Sequence, residues 1–149
     1  DVWEDFINDD APHLVLCGRR GWMNEDVFAR LDQRPAHAHE LSSLDDQAMW
    51  GLLNDSNGLL FPSRAEGFGY PAVEAARLDV PLICNPLPVF DEVLGRIPIY
   101  AAESDRYAWR KEIGKLAQRR RDRRGEQNRM MSLETLTWQV HFNQLFTVL

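Results

Sequence analysis

The sequence predicts an α/β fold, a parallel sheet with helices on both faces. Short apolar runs alternate with helix-like stretches along the chain. That order builds parallel strands joined by crossover helices. Two of the runs, LVLC and LLF, are each followed by a glycine-bearing loop, one at Gly18 and one after Ser63. Sheets of this class bind ligands at the carboxyl ends of their strands, where both loops lie.

The elements follow in order. Residues 2–8 look helical, and residues 13–17 form a short apolar strand. Asn24 can cap a helix whose first turn holds Glu25 and Asp26, with Val27, Phe28 and Leu31 on one face. Residues 36–40 are a weak strand candidate. Ser43 can cap the next helix, with Asp46 completing a capping-box-like pattern ahead of Met49, Leu52 and Leu53. Residues 58–61 are a strand, 70–78 a helix, 80–84 a buried strand, 89–94 a short helix and 97–100 a last strand. Two helices complete the reading, over 106–120 and 126–148. Trp138, with Leu133, Leu136, Val140 and Phe142, reads as core packing in the last of them.

Composition narrows the function classes. At 149 residues and 44% hydrophobic content, the chain has the size and core of one ordinary domain. No apolar run approaches the roughly 20 residues that span a bilayer, and no signal peptide is visible at Asp1. Cys17 and Cys84 end apolar strand candidates and read as buried small hydrophobes of a reducing, cytoplasmic compartment. The four histidines and two cysteines lack zinc spacing, so no metal is expected. The basic cluster at residues 119–124 (RRRDRR) reads as a solvated helix end or as contact with an anionic membrane surface. Nucleic-acid binding is disfavoured, because the net charge is −6 and the cluster lacks interleaved aromatics.

The segment EGFGYPAVEA, residues 66–75, carries the chemistry. Gly67 and Gly69 let the backbone reach φ > 0 and approach a ligand closely. Pro71 suits a first helical turn, and the unpaired N–H groups of such a turn favour a phosphate. Helical side chains lean toward the N-terminus, so Glu74 can reach back to a ligand at the helix mouth. A carboxylate there accepts hydrogen bonds from paired hydroxyls, and Glu66 in the loop can meet a second group of them. Either feature alone is often structural, a dipole-complementing glutamate or a simple turn; the ordered combination is more specific.

These residues resemble the donor-site signature of retaining glycosyltransferases of the GT-B architecture, which have two Rossmann-like domains. In that family two glutamates are separated by seven residues, as Glu66 and Glu74 are. The resemblance runs from Leu14 to Leu94 and more loosely to Trp138. LVLCGRRGW (14–22), the segment 41–63 and LPVFDEVLG (87–95) look like the parts flanking the nucleotide site. GRRGW and PVFDEV look most like mannosyltransferases of bacterial surface-polysaccharide synthesis. The resemblance implies a Rossmann-like domain in which Glu74 holds the ribose of a nucleotide-sugar. Glu66, the catalytic-site glutamate, would contact the donor sugar. Gly67, Phe68, Gly69 and Tyr70 would lie along sugar and diphosphate, and Leu41 near the base. It implies no cofactor beyond the donor, with GDP-mannose the donor of the sub-family, and hexose transfer with retained configuration to a glycan or lipid-linked acceptor. No residue presents itself as a general base.

Two parts of the family pattern are absent. The Arg/Lys strand-loop that clamps the diphosphate has no counterpart, and neither does the acceptor domain. Arg19, Arg20 and Arg64 are the substitutes to test. Asp79 stands where the family prefers glycine, in a turn. Residues 1–149 are therefore expected to be one donor-binding domain of a larger two-domain enzyme, inactive alone, meeting its acceptor through the missing domain. A non-catalytic nucleotide-sugar-binding or partner-docking module is the alternative. A nucleotide-sugar epimerase, which shares the architecture, is a third reading that the EGFG signature argues against.

Overall fold

The computed structural model describes residues 2–6, 12–21, 24–33, 35 and 37–119. The expected last helix, Trp138 and most of the basic cluster lie outside the described residues. The strands are β1 (Leu14–Cys17), β2 (Ala38–Leu41), β3 (Leu59–Phe61), β4 (Leu82–Cys84) and β5 (Ile99–Tyr100). The helices are α1 (Glu25–Asp32), α2 (Asp46–Asp55), α3 (Tyr70–Arg77), α4 (Pro88–Leu94) and α5 (Arg106–Gln118). The expected first helix is instead a short 3₁₀ turn, Trp3–Phe6.

Every strand pair is parallel, as the alternation of strand and helix requires. The single expected sheet is divided in two: β1 pairs with β2, and β3, β4 and β5 form the second sheet in that order. Strands of two to four residues offer few main-chain groups, so one rung decides whether two neighbours share a ladder. At the start of the first sheet, ring nitrogens of His13 and His39 lie 2.7 Å apart.

The second sheet carries the core and explains the helices on both faces. Successive strand residues point to opposite sides. Leu82 and Cys84 pack with Ala72, Val73, Phe90 and Leu94 of α3 and α4. Ile83, between them, packs instead with Trp109, Ile113 and Leu116 of α5 and with the 3₁₀ turn. All three β4 side chains are buried, which is why LIC is apolar without alternation. Ala72 and Ala75 are fully buried, so α3 lies close on the sheet. Trp109 donates its indole N–H to the Ala102 carbonyl at 3.0 Å, satisfying a polar group in this half of the core.

α5 is fixed at both ends. Asp105 caps its start by accepting from the Ala108 N–H at 2.9 Å. Its end lies against the start of β3: Asn57 donates to the Leu116 carbonyl at 3.1 Å. A methyl group on Gly58 would meet Leu116 Cδ1 at 2.6 Å. α2 is capped by Asp45, which accepts from the Ala48 N–H at 2.7 Å, and not by Ser43. Asp45 is the residue with extended backbone immediately before the helix, the geometry a cap needs. Asn24 stands at the cap position of α1, but its side chain makes no capping bond. After α3 the chain reverses through Asp79 at φ 52°, the left-handed conformation a glycine would take.

Candidate functional site

The β3–α3 loop is held from below. Asn85, at the carboxyl end of β4, donates its amide hydrogens to the Pro62 and Ser63 carbonyls at 3.0 and 2.9 Å. At the far end of the loop, Gly69 is the N-cap of α3 with φ 76°, and it is buried against the Phe90 ring. Gly67, by contrast, is exposed and does not adopt positive φ; of the two glycines only Gly69 needs its freedom.

Between these anchors the loop leaves donors uncommitted. The first bonded N–H groups of the α3 turn are those of Ala72 and Val73, both directed to the Gly69 carbonyl at 3.0 and 3.2 Å. Among the described residues, no main-chain N–H of residues 66–70 meets an acceptor. Such a row of donors ahead of a helix N-terminus favours an anion. Tyr70 and Pro71 at the tip are exposed, and the Phe68 and Tyr70 rings lie 5.0 Å apart, both exposed. Glu66 and Glu74 are both half-buried, one in the loop and one on the second turn of α3.

A second concavity opens at the carboxyl end of β1. It has a volume of about 280 Å³, and Gly18, Arg19, Arg20, Phe28 and Glu40 are among the residues lining it. Gly18, at φ 133°, donates to the Leu41 carbonyl at 3.1 Å, which joins the glycine loop to the end of β2. Arg20 is committed: it pairs with Glu40 at 2.7 Å and Asp32 at 2.5 Å, with its guanidinium 4.9 Å from the Phe28 ring centre. These hydrogen bonds raise the Arg20 pKa and hold both carboxylates below their usual range. Arg64 is committed likewise, to Glu103 at 2.5 Å. Arg19 is exposed and has no ion-pair partner among the described residues.

Two further outcomes concern the cysteines and Asn85. Cys84 is buried as expected, and burial pushes its thiol up to about 11. Cys17 is exposed, contrary to the expectation: it is the last residue of β1, in a sheet of only two strands. Asn85 escaped the sequence reading. Its signal was a polar side chain directly after the apolar run LIC and before a proline. Among the described residues, no three metal-binding side chains could hold an ion, and no helix is long and apolar enough to cross a membrane.

Comparison with known proteins places this sequence in a family. The model of the family described as "Family 4 Glycosyltransferase in conflict systems" matches residues 4–87, more than half of the chain. O-antigen chain mannosyltransferase RfbU of Salmonella typhimurium is 29% identical over 121 residues, 78% of this chain and 32% of that protein. The serotype-specific mannosyltransferase WbdA of Escherichia coli is 32% identical over 84 residues, 54% of this chain and 10% of that protein. O-antigen chain mannosyltransferase B of Escherichia coli is 32% identical over 95 residues, 62% of this chain and 25% of that protein. The chain thus spans about a third or less of the length of these relatives. With more than half of its length matched, the chain belongs to the family 4 glycosyltransferases in conflict systems.

Proposed function

We propose that this chain carries the donor site of a retaining glycosyltransferase of GT-B architecture, with a nucleotide-sugar held on the β3–α3 loop. One observation carries the reading. Five successive N–H groups, of residues 66–70, have no acceptor among the described residues, and a half-buried glutamate stands on each side. A diphosphate needs such donors, and the hydroxyls of a ribose and a hexose need such carboxylates.

In this reading Glu74 accepts from the ribose hydroxyls and Glu66 from those of the sugar. Gly67, Phe68, Gly69 and Tyr70 offer backbone to the diphosphate and sugar. Leu41, beside Gly18 at the end of β2, lies by the base. Arg19 supplies positive charge, and Arg64 does so only when released from Glu103. The sugar is mannose and the donor GDP-mannose, because the relatives that match are named as mannosyltransferases. A second domain supplies the acceptor, a glycan or a lipid-linked sugar. The chain works at the cytoplasmic side, with its basic cluster near a membrane surface.

The test is an NMR titration of the ¹⁵N-labelled chain with GDP, UDP and ADP. Shifts are expected for the amides of residues 66–70, largest with GDP. Glu74→Gln is expected to weaken binding about tenfold, the loss of one charged hydrogen bond. Silence of these amides toward all three nucleotides at millimolar concentration would overturn the donor site.

A further inference from the structure

We infer that Asn85 is the positioning residue of the donor loop, setting the height of residues 66–70 above the sheet. The inference rests on the donor-site reading above. Its starting point is the parallel ladder. Phe61 is the register partner of Cys84, so the next rung would join Pro62 to Asn85. Pro62 has no N–H, and the main-chain ladder stops there. The Asn85 side chain takes over, giving its amide hydrogens to the Pro62 and Ser63 carbonyls. The first two residues of the loop are therefore tied to β4 by one carboxamide.

The same residue governs the other end of the loop. The Asn85 carbonyl accepts from the Leu87 N–H at 2.8 Å, a tight turn that launches α4. α4 carries Phe90, fully buried beneath Gly69. One residue thus holds where the loop leaves the sheet and starts the helix that backs the point where the loop becomes α3.

Stability alone does not account for an asparagine here. Asn85 is 5% exposed, the only buried polar residue among those described. Its Oδ1 is buried with no hydrogen-bond partner among the described residues. An unpaired buried acceptor is itself destabilising, and an apolar side chain of the same volume would avoid it. Aspartate could not substitute, since ionised it has no hydrogen to donate to two carbonyls. The carboxamide is kept for the two bonds that fix the loop.

The test compares Asn85→Leu and Asn85→Ser with the parent chain, first without ligand and then with GDP, UDP and ADP. Asn85→Leu keeps the number and branching of the side-chain heavy atoms and removes the unpaired acceptor; Asn85→Ser keeps one donor. Expected in the ligand-free spectra are shifts at residues 63–70 with α5 unchanged, larger for leucine than for serine. Nucleotide affinity is expected to fall about tenfold for leucine and less for serine, at a temperature where circular dichroism shows both folded. Unmoved loop amides in both variants would overturn the inference. So would moved amides with unaltered affinity. Should Asn85→Leu not fold, Asn85→Ser decides by the same readings. If the parent chain binds no nucleotide, the donor-site reading fails by itself, and the ligand-free shifts still decide whether Asn85 sets the loop.

Discussion

A methyl group on Gly69 would stand 2.4 Å from Cε1 of Phe90, far inside van der Waals contact. The phenyl ring is fully buried and also meets Phe61, at 5.8 Å between centroids, so it has no room to retreat. Close packing makes such a site intolerant of added volume.

Gly69→Ala is therefore expected to destabilise the fold by about 2–4 kcal/mol, combining left-handed backbone cost with overpacking. Gly67→Ala is the matched control. Among the described residues nothing lies within 4 Å of the added methyl there, so its effect should stay within about 0.5 kcal/mol. Urea denaturation of both variants reads the difference, and equal midpoints would refute the packing.

Asp79 holds φ 52° in the turn after α3. An L-residue bears a cost there that glycine escapes, offset in part by the greater freedom of glycine in the unfolded chain. Asp79→Gly should be neutral to about 1 kcal/mol stabilising. A clear loss of melting temperature would show that the aspartate is held by something beyond the turn.

The two thiols should separate cleanly. Burial pushes Cys84 up to about 11, so it stays protonated and enclosed at pH 8. Cys17 is exposed, though partial burial also raises its pKa and slows it relative to a free thiol. An aromatic disulfide reagent should react with one thiol in the native chain and two after denaturation. Cys17→Ser should abolish the native reaction.

Arg106 and Asp5 join α5 to the 3₁₀ turn at 2.9 Å. The hydrogen bond to Arg106 holds the Asp5 carboxyl below the usual range. The folded pKa is thus depressed. The contribution is present at neutral pH and is lost as pH falls below the unfolded value of about 3.9 toward the folded one. Asp5→Asn should flatten the acid limb of the stability profile below about pH 4, measured as urea midpoints. An unchanged acid limb would mean that the pair contributes nothing.

What could be read from the sequence followed from burial and from turn chemistry. LLF and LIC announced themselves because a strand between two helical layers is apolar on both sides. Gly69 and Pro71 marked the entry to α3 because few residues suit those positions. The choice between Ser43 and Asp45 was not legible, since either side chain can cap and only the backbone angle decides. Nor were the ion pairs of Arg20 and Arg64, whose partners Glu40 and Glu103 lie 20 and 39 residues away. Those pairs engage two of the three arginines offered for the phosphate. Asn85 was missed because its role depends on Pro62, which meets it only across the ladder.

The seam between Leu116 and Gly58 has a practical bearing. α5 sets out beyond β5, at the rim that bears the β3–α3 loop, and runs back to the opposite rim, where β3 begins. A dye or surface tether attached at Gln118 would therefore sit on the underside of the sheet. Immobilised that way, the protein would turn its β3–α3 loop away from the support.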